Sequence, residues 1–440
     1  MKRMATIAAI LAAVATTLLA GSTAAAPQAR QASTGVLAAP DFDLPAVQLR
    51  IALDRALAEH AFLIIETMRT SVDETDDFDA AVASIEENTG EILDLAGSVY
   101  SASEADAFAE QWRNHIAYLV DYARASAAGD DDAQDLAESQ LHEYTEEFTS
   151  LLVELNPGLP PDVVAGLVGE HVEQLEQIGR LTEGDYAGAY GSIRETAAHM
   201  FKIGDGLTLG ILGRFENEFP GRETAFSPSL DLRLTLDRLL GEHTYLAAVA
   251  MRALLDDAEH VAAAVEVLGL NSAELATEVG KIYGDDAGDA FERLWNRHTT
   301  LYADYVTATS DEDKEAQEAA LDGLAVYRTD FSSFLAGANP ALDGAAFERL
   351  LEVHTEHLVN QVSVYAAGDY DAAYRMLREA YAHTDELAAG LAGAITDQFP
   401  QLFPDTSLPR RDLPVGVVGW LLISASALLL LRRRWGASVR

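Results

Sequence analysis

Apolar side chains recur at intervals of three and four residues along most of this chain, the spacing of one face of an α-helix. One such stripe contains Leu53, Leu57, His60, Ile64 and Met68. The alternating apolar and polar positions that mark a half-buried strand do not occur, and alanine, leucine and glutamate, which favour helices, dominate. The pattern therefore predicts an all-α protein.

Breaks in the pattern divide the first half of the chain into six helices. The breaks fall at clusters of Asp and Ser and at Gly129-Asp130, Asn156-Pro157 and Gly184-Asp185, residue types that end helices or form turns. The predicted helices lie near residues 46–70, 77–99, 103–128, 131–155, 160–182 and 185–215. Because each apolar face must be covered by the others, we expect a six-helix, bundle-like domain.

The second half of the chain repeats the first. Residues 47–220 align with residues 230–404 at an offset of 183, which becomes 184 after one inserted residue. Each copy has about 175 residues, enough for one hydrophobic core. We therefore predict two tandem domains, repeat 1 (residues 46–220) and repeat 2 (residues 229–404), that fold separately or dock lightly.

Both ends of the chain carry segments typical of sorting signals. Two basic residues, an apolar run and several small residues predict a secretory signal peptide at residues 1–26. A charge-free apolar run at residues 415–431, followed by an arginine cluster, predicts a transmembrane helix. We accordingly expect a juxtamembrane linker (405–414), a cytoplasmic basic tail (432–440) and a single-pass protein of the cell membrane whose N-terminal ectodomain lies outside.

Charge and cysteine count narrow the classes of function. The chain has 71 acidic and 30 basic residues, a formal net charge of −41. Because such a surface repels nucleic acid, we predict no nucleic-acid partner. The same acidity suits a high-salt habitat, and the sequence does not choose between that and a role with cations. The absence of cysteine excludes disulfides, thiolate metal sites and cysteine nucleophiles.

Four histidines of repeat 1 recur in repeat 2 and supply the candidate chemistry. They fall on the first, third, fifth and sixth predicted helices, and inward-facing imidazoles from several helices can converge on a metal ion. A glutamate four residues before the last histidine lies on the same helix face and can share that ion. The predicted metal ligands are His60, His115, His171, Glu195 and His199 in repeat 1 and His243, His298, His354, Glu379 and His383 in repeat 2.

Other interpretations of these histidines stay open. Iron, zinc and copper all suit imidazole and carboxylate ligands, and the sequence does not choose among them. A histidine on an apolar face can equally be a core residue that is hydrogen-bonded to a tyrosine, an aspartate or a backbone carbonyl. The ferritin-type Glu-x-x-His pair does not occur in duplicate, and the zincin, nucleophile-elbow, phosphate-loop and dinucleotide motifs are missing. We therefore predict no catalytic residue and no organic cofactor, and whether the protein is an enzyme stays undecided.

Five motifs occur in both repeats. In repeat 1 they are Glu-His-x-x-Leu at Glu59, Trp-x-x-His at Trp112, Tyr-x-x-x-Phe at Tyr144, Gly-Asp-Tyr-x-x-Ala-Tyr at Gly184 and Arg-Glu-x-x-x-His at Arg194. Together they resemble a helical repeat of secreted Gram-positive bacterial proteins labelled copper amine oxidase-like. The label belongs to a different, N-terminal domain of those proteins. The resemblance therefore implies an extracellular, metal-related role and no particular activity.

Two hypotheses follow from the sequence. The leading one is a membrane-anchored extracytoplasmic metal-binding protein with one histidine-rich site in each repeat. The alternative is a cell-surface interaction or spacer protein in which the histidines are purely structural. A metal-dependent oxidase is a weaker third option, and the sequence names no protein partner.

Overall fold

The computed structural model describes residues 42–177 and 184–404, and in these ranges the protein is helical, with connecting turns and no strand. The first six α-helices are α1 (Pro45–Asp73), α2 (Phe78–Val99), α3 (Ala102–Ala128), α4 (Asp131–Leu155), α5 (Pro161–Glu176) and α6 (Tyr186–Arg214). A short 3-10 helix (Thr224–Phe226) precedes α7 (Pro228–Leu255), α8 (Val261–Tyr283), α9 (Asp285–Ser310), α10 (Lys314–Ala338), α11 (Gly344–Ala366) and α12 (Tyr370–Gln398). The prediction of an all-α protein is confirmed for this part of the chain.

Helix ends fall where the turn residues predict them. Gly129 ends α3 with φ of +63°, a left-handed conformation that glycine adopts without strain. Asp130 then caps α4, since its carboxylate accepts a hydrogen bond from the backbone N–H of Ala133. Asp185 and Asp369 cap α6 and α12 in the same way. The fifth helix was expected to reach residue 182, but residues 178–183 lie outside the described ranges.

One central helix organises each half of the molecule. Helix α1 contacts α2, α3 and α6, and α7 likewise contacts α8, α9 and α12. Both central helices are buried along most of their length. The remaining helices pack in chain order around them, α3 on α4 and α5 on α6, with α9 on α10 and α11 on α12 in the second half. The first histidine of each repeat therefore lies at the centre of its half.

The two halves share a buried core. Helix α1 contacts α7, α6 contacts α8, and α12 contacts α2, which is the reciprocal pattern of a two-fold arrangement. The largest hydrophobic cluster contains residues of both repeats, and within it Phe62 stacks on Tyr245 with ring centroids 4.5 Å apart. This contact is much closer than the light docking expected from the sequence. The domain boundaries themselves remain a prediction.

Ion pairs also cross between the halves. Arg378 of α12 lies 3.2 Å from Glu59 of α1, and Arg194 of α6 bonds in the corresponding way to Glu242 of α7. Arg252 lies 2.6 Å from Glu66, and both side chains are 4% exposed. Glu66 and Glu242 each also pair with an arginine of their own half, Arg69 and Arg238. Each of these buried carboxylates thus bonds to a guanidinium of the other half, which fixes the relative position of the two halves.

The predicted membrane attachment requires correction. None of the helices described in residues 42–177 and 184–404 has the length and apolarity needed to cross a bilayer. Acidic and basic side chains interrupt each of them, whereas a span needs about 20 consecutive apolar residues. Residues 415–431, like the predicted signal peptide, linker and basic tail, lie outside the described residues. The structure therefore does not support the prediction that a C-terminal helix attaches the protein to the membrane. The predicted single-pass location is likewise not supported.

Candidate metal centre

Three buried histidines of repeat 1 meet in the core between α1, α3 and α5. The Nε2 atoms of His60 and His115 are 3.2 Å apart. The ring centroid of His171 lies 6.1 Å from that of His60 and 6.3 Å from that of His115. One nitrogen of each ring lies within 4.8 Å of the other two. The structure thus brings together three of the five ligands predicted for repeat 1.

Aromatic side chains enclose this triad. Trp112, one turn before His115 on α3, lies 4.7 Å from the His60 ring and 4.8 Å from the His115 ring, measured between centroids. Tyr144 of α4 stacks on His115 at 5.0 Å. These contacts exclude water from two of the three rings and fix their orientation. The repeated sequence motifs contain both aromatic residues, but they did not indicate that these residues enclose the histidines.

Burial keeps the three imidazoles neutral. It lowers the pKa of His115 to about 4 and the pKa values of His60 and His171 well below the ordinary value, with a further lowering of the last two from the neighbouring histidines. A neutral imidazole has a free lone pair, which is the form that binds a metal ion. The triad is therefore in its metal-binding protonation state at pH 7.

Hydrogen bonding does not account for His171. Both of its ring nitrogens are buried without a hydrogen-bond partner among the described residues. A buried polar atom left unpaired destabilises the fold by about 1–3 kcal/mol. A structural histidine is expected to satisfy at least one nitrogen, as His199 does nearby. The burial of His171 thus calls for a partner beyond the protein's own polar groups.

The separation of the two Nε2 atoms fits tetrahedral coordination. Zinc–nitrogen bonds of about 2.0–2.1 Å at the tetrahedral angle place two ligand nitrogens about 3.3–3.4 Å apart. The observed 3.2 Å is close to that value. A single N–H···N hydrogen bond between two neutral rings also fits the distance. Metal coordination would include the His171 ring, whereas the hydrogen bond joins only His60 and His115.

Repeat 2 reproduces the pair and its aromatic frame. The Nε2 atoms of His243 and His298 are also 3.2 Å apart. Trp295 lies 4.8 and 4.6 Å from these two rings, and Tyr327 stacks on His298 at 5.0 Å. Burial lowers the pKa of His243 to about 4 and that of His354 to about 3.

The third histidine is placed differently in the two repeats. His171 is buried with both ring nitrogens, whereas its counterpart His354 is half-buried as a residue although its Nδ1 is buried. Among the described residues, no second group of three histidine, aspartate or glutamate side chains has ligand atoms as close as those of the first triad. Repeat 2 therefore offers two converged nitrogens and a third that stands farther away.

The predicted ligands of the sixth and twelfth helices bond elsewhere. His199 donates from Nε2 to the Leu167 carbonyl at 2.8 Å, and its Nδ1 lies 3.5 Å from Glu170. His383 likewise donates to the Leu350 carbonyl at 2.9 Å. The structure does not bring His199 into the histidine triad of repeat 1 or His383 to the His243–His298 pair, because both rings reach the neighbouring helix instead.

The two predicted glutamate ligands face solvent. Glu195 and Glu379 are exposed, and the nearest imidazole to Glu379 is His357, at 3.8 Å. The spacing of four residues does place each glutamate near its histidine on the helix. The histidine, however, turns inward toward a carbonyl while the carboxylate stays in water.

Comparison with known proteins adds no further ligand or activity, since no protein family, no curated protein and no solved structure matches this chain. The resemblance to the copper amine oxidase-like repeat therefore remains a prediction. The chemistry of the site rests on its geometry.

Proposed function

We propose that the protein binds transition-metal ions through its buried histidines, with one site in each repeat. The observation that carries this proposal is the convergence of His60, His115 and His171, whose ligand nitrogens lie within 4.8 Å of one another. The 3.2 Å pair of His243 and His298 supports a second site of the same kind. We propose with it that α1–α6 and α7–α12 are two copies of one six-helix bundle.

The ligand set narrows the choice of ion. Three neutral nitrogens without a carboxylate suit zinc or copper, whereas oxygen-rich sites suit magnesium and calcium. Non-haem iron sites commonly add a carboxylate to two histidines, and here Glu195 faces solvent. Three protein ligands also leave a fourth position for water or a small ligand. We therefore place zinc and copper ahead of iron.

The two sites should differ in affinity. In repeat 1 the third nitrogen is close and buried, so little movement is needed to complete the ligand set. In repeat 2, His354 must move toward the His243–His298 pair before it can ligate. Because that movement reduces the net binding energy, the site in repeat 1 should have the higher metal affinity.

The experiment measures metal content per full-length chain after exposure to zinc or Cu²⁺ at neutral pH and removal of free ions. We expect two equivalents for the wild type, about one for His115→Ala, and none for His115→Ala combined with His298→Ala. Loss of one ligand lowers affinity strongly, since each site has only three protein ligands. His142→Ala is the matched control, because the His142 side chain is 81% exposed.

The competing explanation is a hydrogen-bonded pair with no metal, as a purely structural role for the histidines requires. It predicts a wild-type chain that retains no zinc, copper or iron at any stage of purification at neutral pH. That result would end the metal proposal. Circular dichroism of each variant confirms that a lost ion does not reflect a lost fold.

A further inference from the structure

Repeat 2 contains a cavity of about 110 Å³ beside its histidines. Its walls are leucine, isoleucine, phenylalanine and tyrosine side chains from all six helices α7–α12, and His243, His298 and His354 all line it. An apolar cavity of about 150 Å³ in another protein stays dry and binds benzene or xenon. The cavity in repeat 2 therefore has the size of a small molecule.

Two small residues distinguish this cavity from the corresponding region of repeat 1. Ala338 and Thr384 line it, and the aligned residues of repeat 1 are Leu155 and Met200. Both of those larger side chains are buried in the core, each 1% exposed. Repeat 1 thus has packed side chains at two positions where repeat 2 leaves space.

Other walls of the cavity are larger in repeat 2. Phe347 and Tyr302 stand where repeat 1 has Val164 and Leu119. Repeat 2 has therefore not simply lost volume throughout its core. Its aromatic walls are retained or enlarged while space opens at Ala338 and Thr384, which is the arrangement of a pocket.

Several hydroxyl and amide groups along the walls are hydrogen-bonded within the protein. The Thr384 hydroxyl donates to the Tyr381 carbonyl at 2.7 Å. The Asn339 amide donates to the Tyr283 hydroxyl at 3.1 Å, and that hydroxyl donates to Gln398 at 2.9 Å. These groups therefore offer little to an ordered water molecule, which needs two to four polar partners. Nδ1 of His243, His298 and His354 and Nε1 of Trp295 have no hydrogen-bond partner among the described residues, but these atoms are themselves buried.

The charge of the cavity is close to neutral. Glu278 is the one carboxylate among the lining residues, and it lies 2.5 Å from Lys281 at the partly exposed edge. A charged ligand would lose its hydration without gaining a counter-charge.

We propose that repeat 2 binds a small, uncharged, apolar molecule of up to the size of a benzene ring in this cavity, in contact with its three histidines. The same three histidines are proposed as metal ligands, but binding of the apolar molecule does not require a metal ion. Repeat 1, with Leu155 and Met200 in place, does not share it.

The test uses the full-length chain freed of metal by a chelator, with benzene as the probe. Benzene should raise the melting temperature of the wild type, because a ligand of the native state stabilises it by mass action. Ala338→Leu and Thr384→Met, which introduce the residues of repeat 1, should each weaken benzene binding at least tenfold. Val326→Leu, on the exposed side of α10, is the matched control and should bind as the wild type does.

Several results would overturn the proposal. They are an unchanged melting temperature in benzene, an equal rise in the wild type and in both filled variants, or an equal response to the charged analogue benzoate. If Ala338→Leu does not fold, Thr384→Met and the ¹²⁹Xe NMR shift of the wild type decide the question. Metal content is measured separately, so failure of the metal proposal leaves this result unaffected.

Discussion

The two repeats hold the same pair of histidines in the same aromatic frame but differ at the third histidine. The two histidines of the pair come from the first and third helices of each repeat. The Trp-x-x-His motif of the third helix occurs in both repeats. The third ring depends on the fifth helix and its neighbours, where His171 is buried and His354 is half-buried. The two repeats thus share the histidine pair but differ in the packing around it.

Under the two proposals made above, this difference gives the two halves separate roles. Repeat 1 has three converged nitrogens, with Leu155 and Met200 buried at the two positions where repeat 2 has Ala338 and Thr384. Repeat 2 has an apolar cavity against the same kind of pair. A closed site favours firm retention of an ion, whereas an open space next to the ligands admits a second small molecule.

The largest effect is expected at the contact between the two halves, because buried ion pairs join them. Arg252→Ala removes the partner that Glu66 has in the other half and leaves only Arg69, 3.2 Å away in the same half, beside the buried carboxylate. We expect a loss of about 1.5–3 kcal/mol in the free energy of unfolding, the contribution of a hydrogen bond to a charged group, measured by urea denaturation.

The matched control for that change is Arg297→Ala. Its partner Asp330 is 2.7 Å away, but the two side chains are 41% and 49% exposed. An exposed pair contributes about 0–1 kcal/mol. Equal losses in the two variants would show that the contact between the halves does not bear stability.

The stability of the fold should depend on pH through the buried histidines. The pKa of His115 in the folded chain is about 4, below the value of about 6.5 expected when unfolded. A proton therefore binds the unfolded chain first, and stability is lost as pH falls from about 6.5 toward 4. The loss for one such ring is about 1.4 kcal/mol per pH unit, or about 3 kcal/mol across this window.

The measurement compares urea denaturation of the metal-free wild type and His115→Gln between pH 7 and 4. The variant should lose less stability on acidification, because one titrating ring is gone. His142→Gln should follow the wild type, since that side chain is exposed. Parallel curves for wild type and His115→Gln would mean that the ring does not stay neutral in the folded chain.

Local chemistry explains which parts of this structure the sequence could predict. Helical periodicity and turn residues such as Gly129 and Asp185 act within a few neighbouring positions, so the all-α class and most helix ends were readable. His60, His115 and His171 converge because each lies on the apolar stripe of its helix, and stripes face the core.

The rest depended on tertiary geometry. The inward turn of His199 toward the Leu167 carbonyl requires the distance between two helices, which spacing along one helix does not contain. The pairing of Glu59 with Arg378 likewise joins residues 319 positions apart. The cavity arises from substitutions between aligned repeat positions, a signal that was present in the sequence at Ala338 and Thr384 but has meaning only once both are seen to line one space.

The smallest effect concerns the stability of repeat 2 without any ligand. Ala338→Leu introduces the residue of repeat 1 into the cavity, and filling an apolar space commonly stabilises a protein by about 0.5–2 kcal/mol. We expect a gain in that range by urea denaturation of the metal-free chain, with Val326→Leu unchanged to within about 0.5 kcal/mol because its side chain is 52% exposed. Steric overpacking would instead destabilise by about 1–3 kcal/mol. That result would mean that Phe347 and Tyr302 already restrict the space next to Ala338, and that the repeats differ in shape more than in free volume.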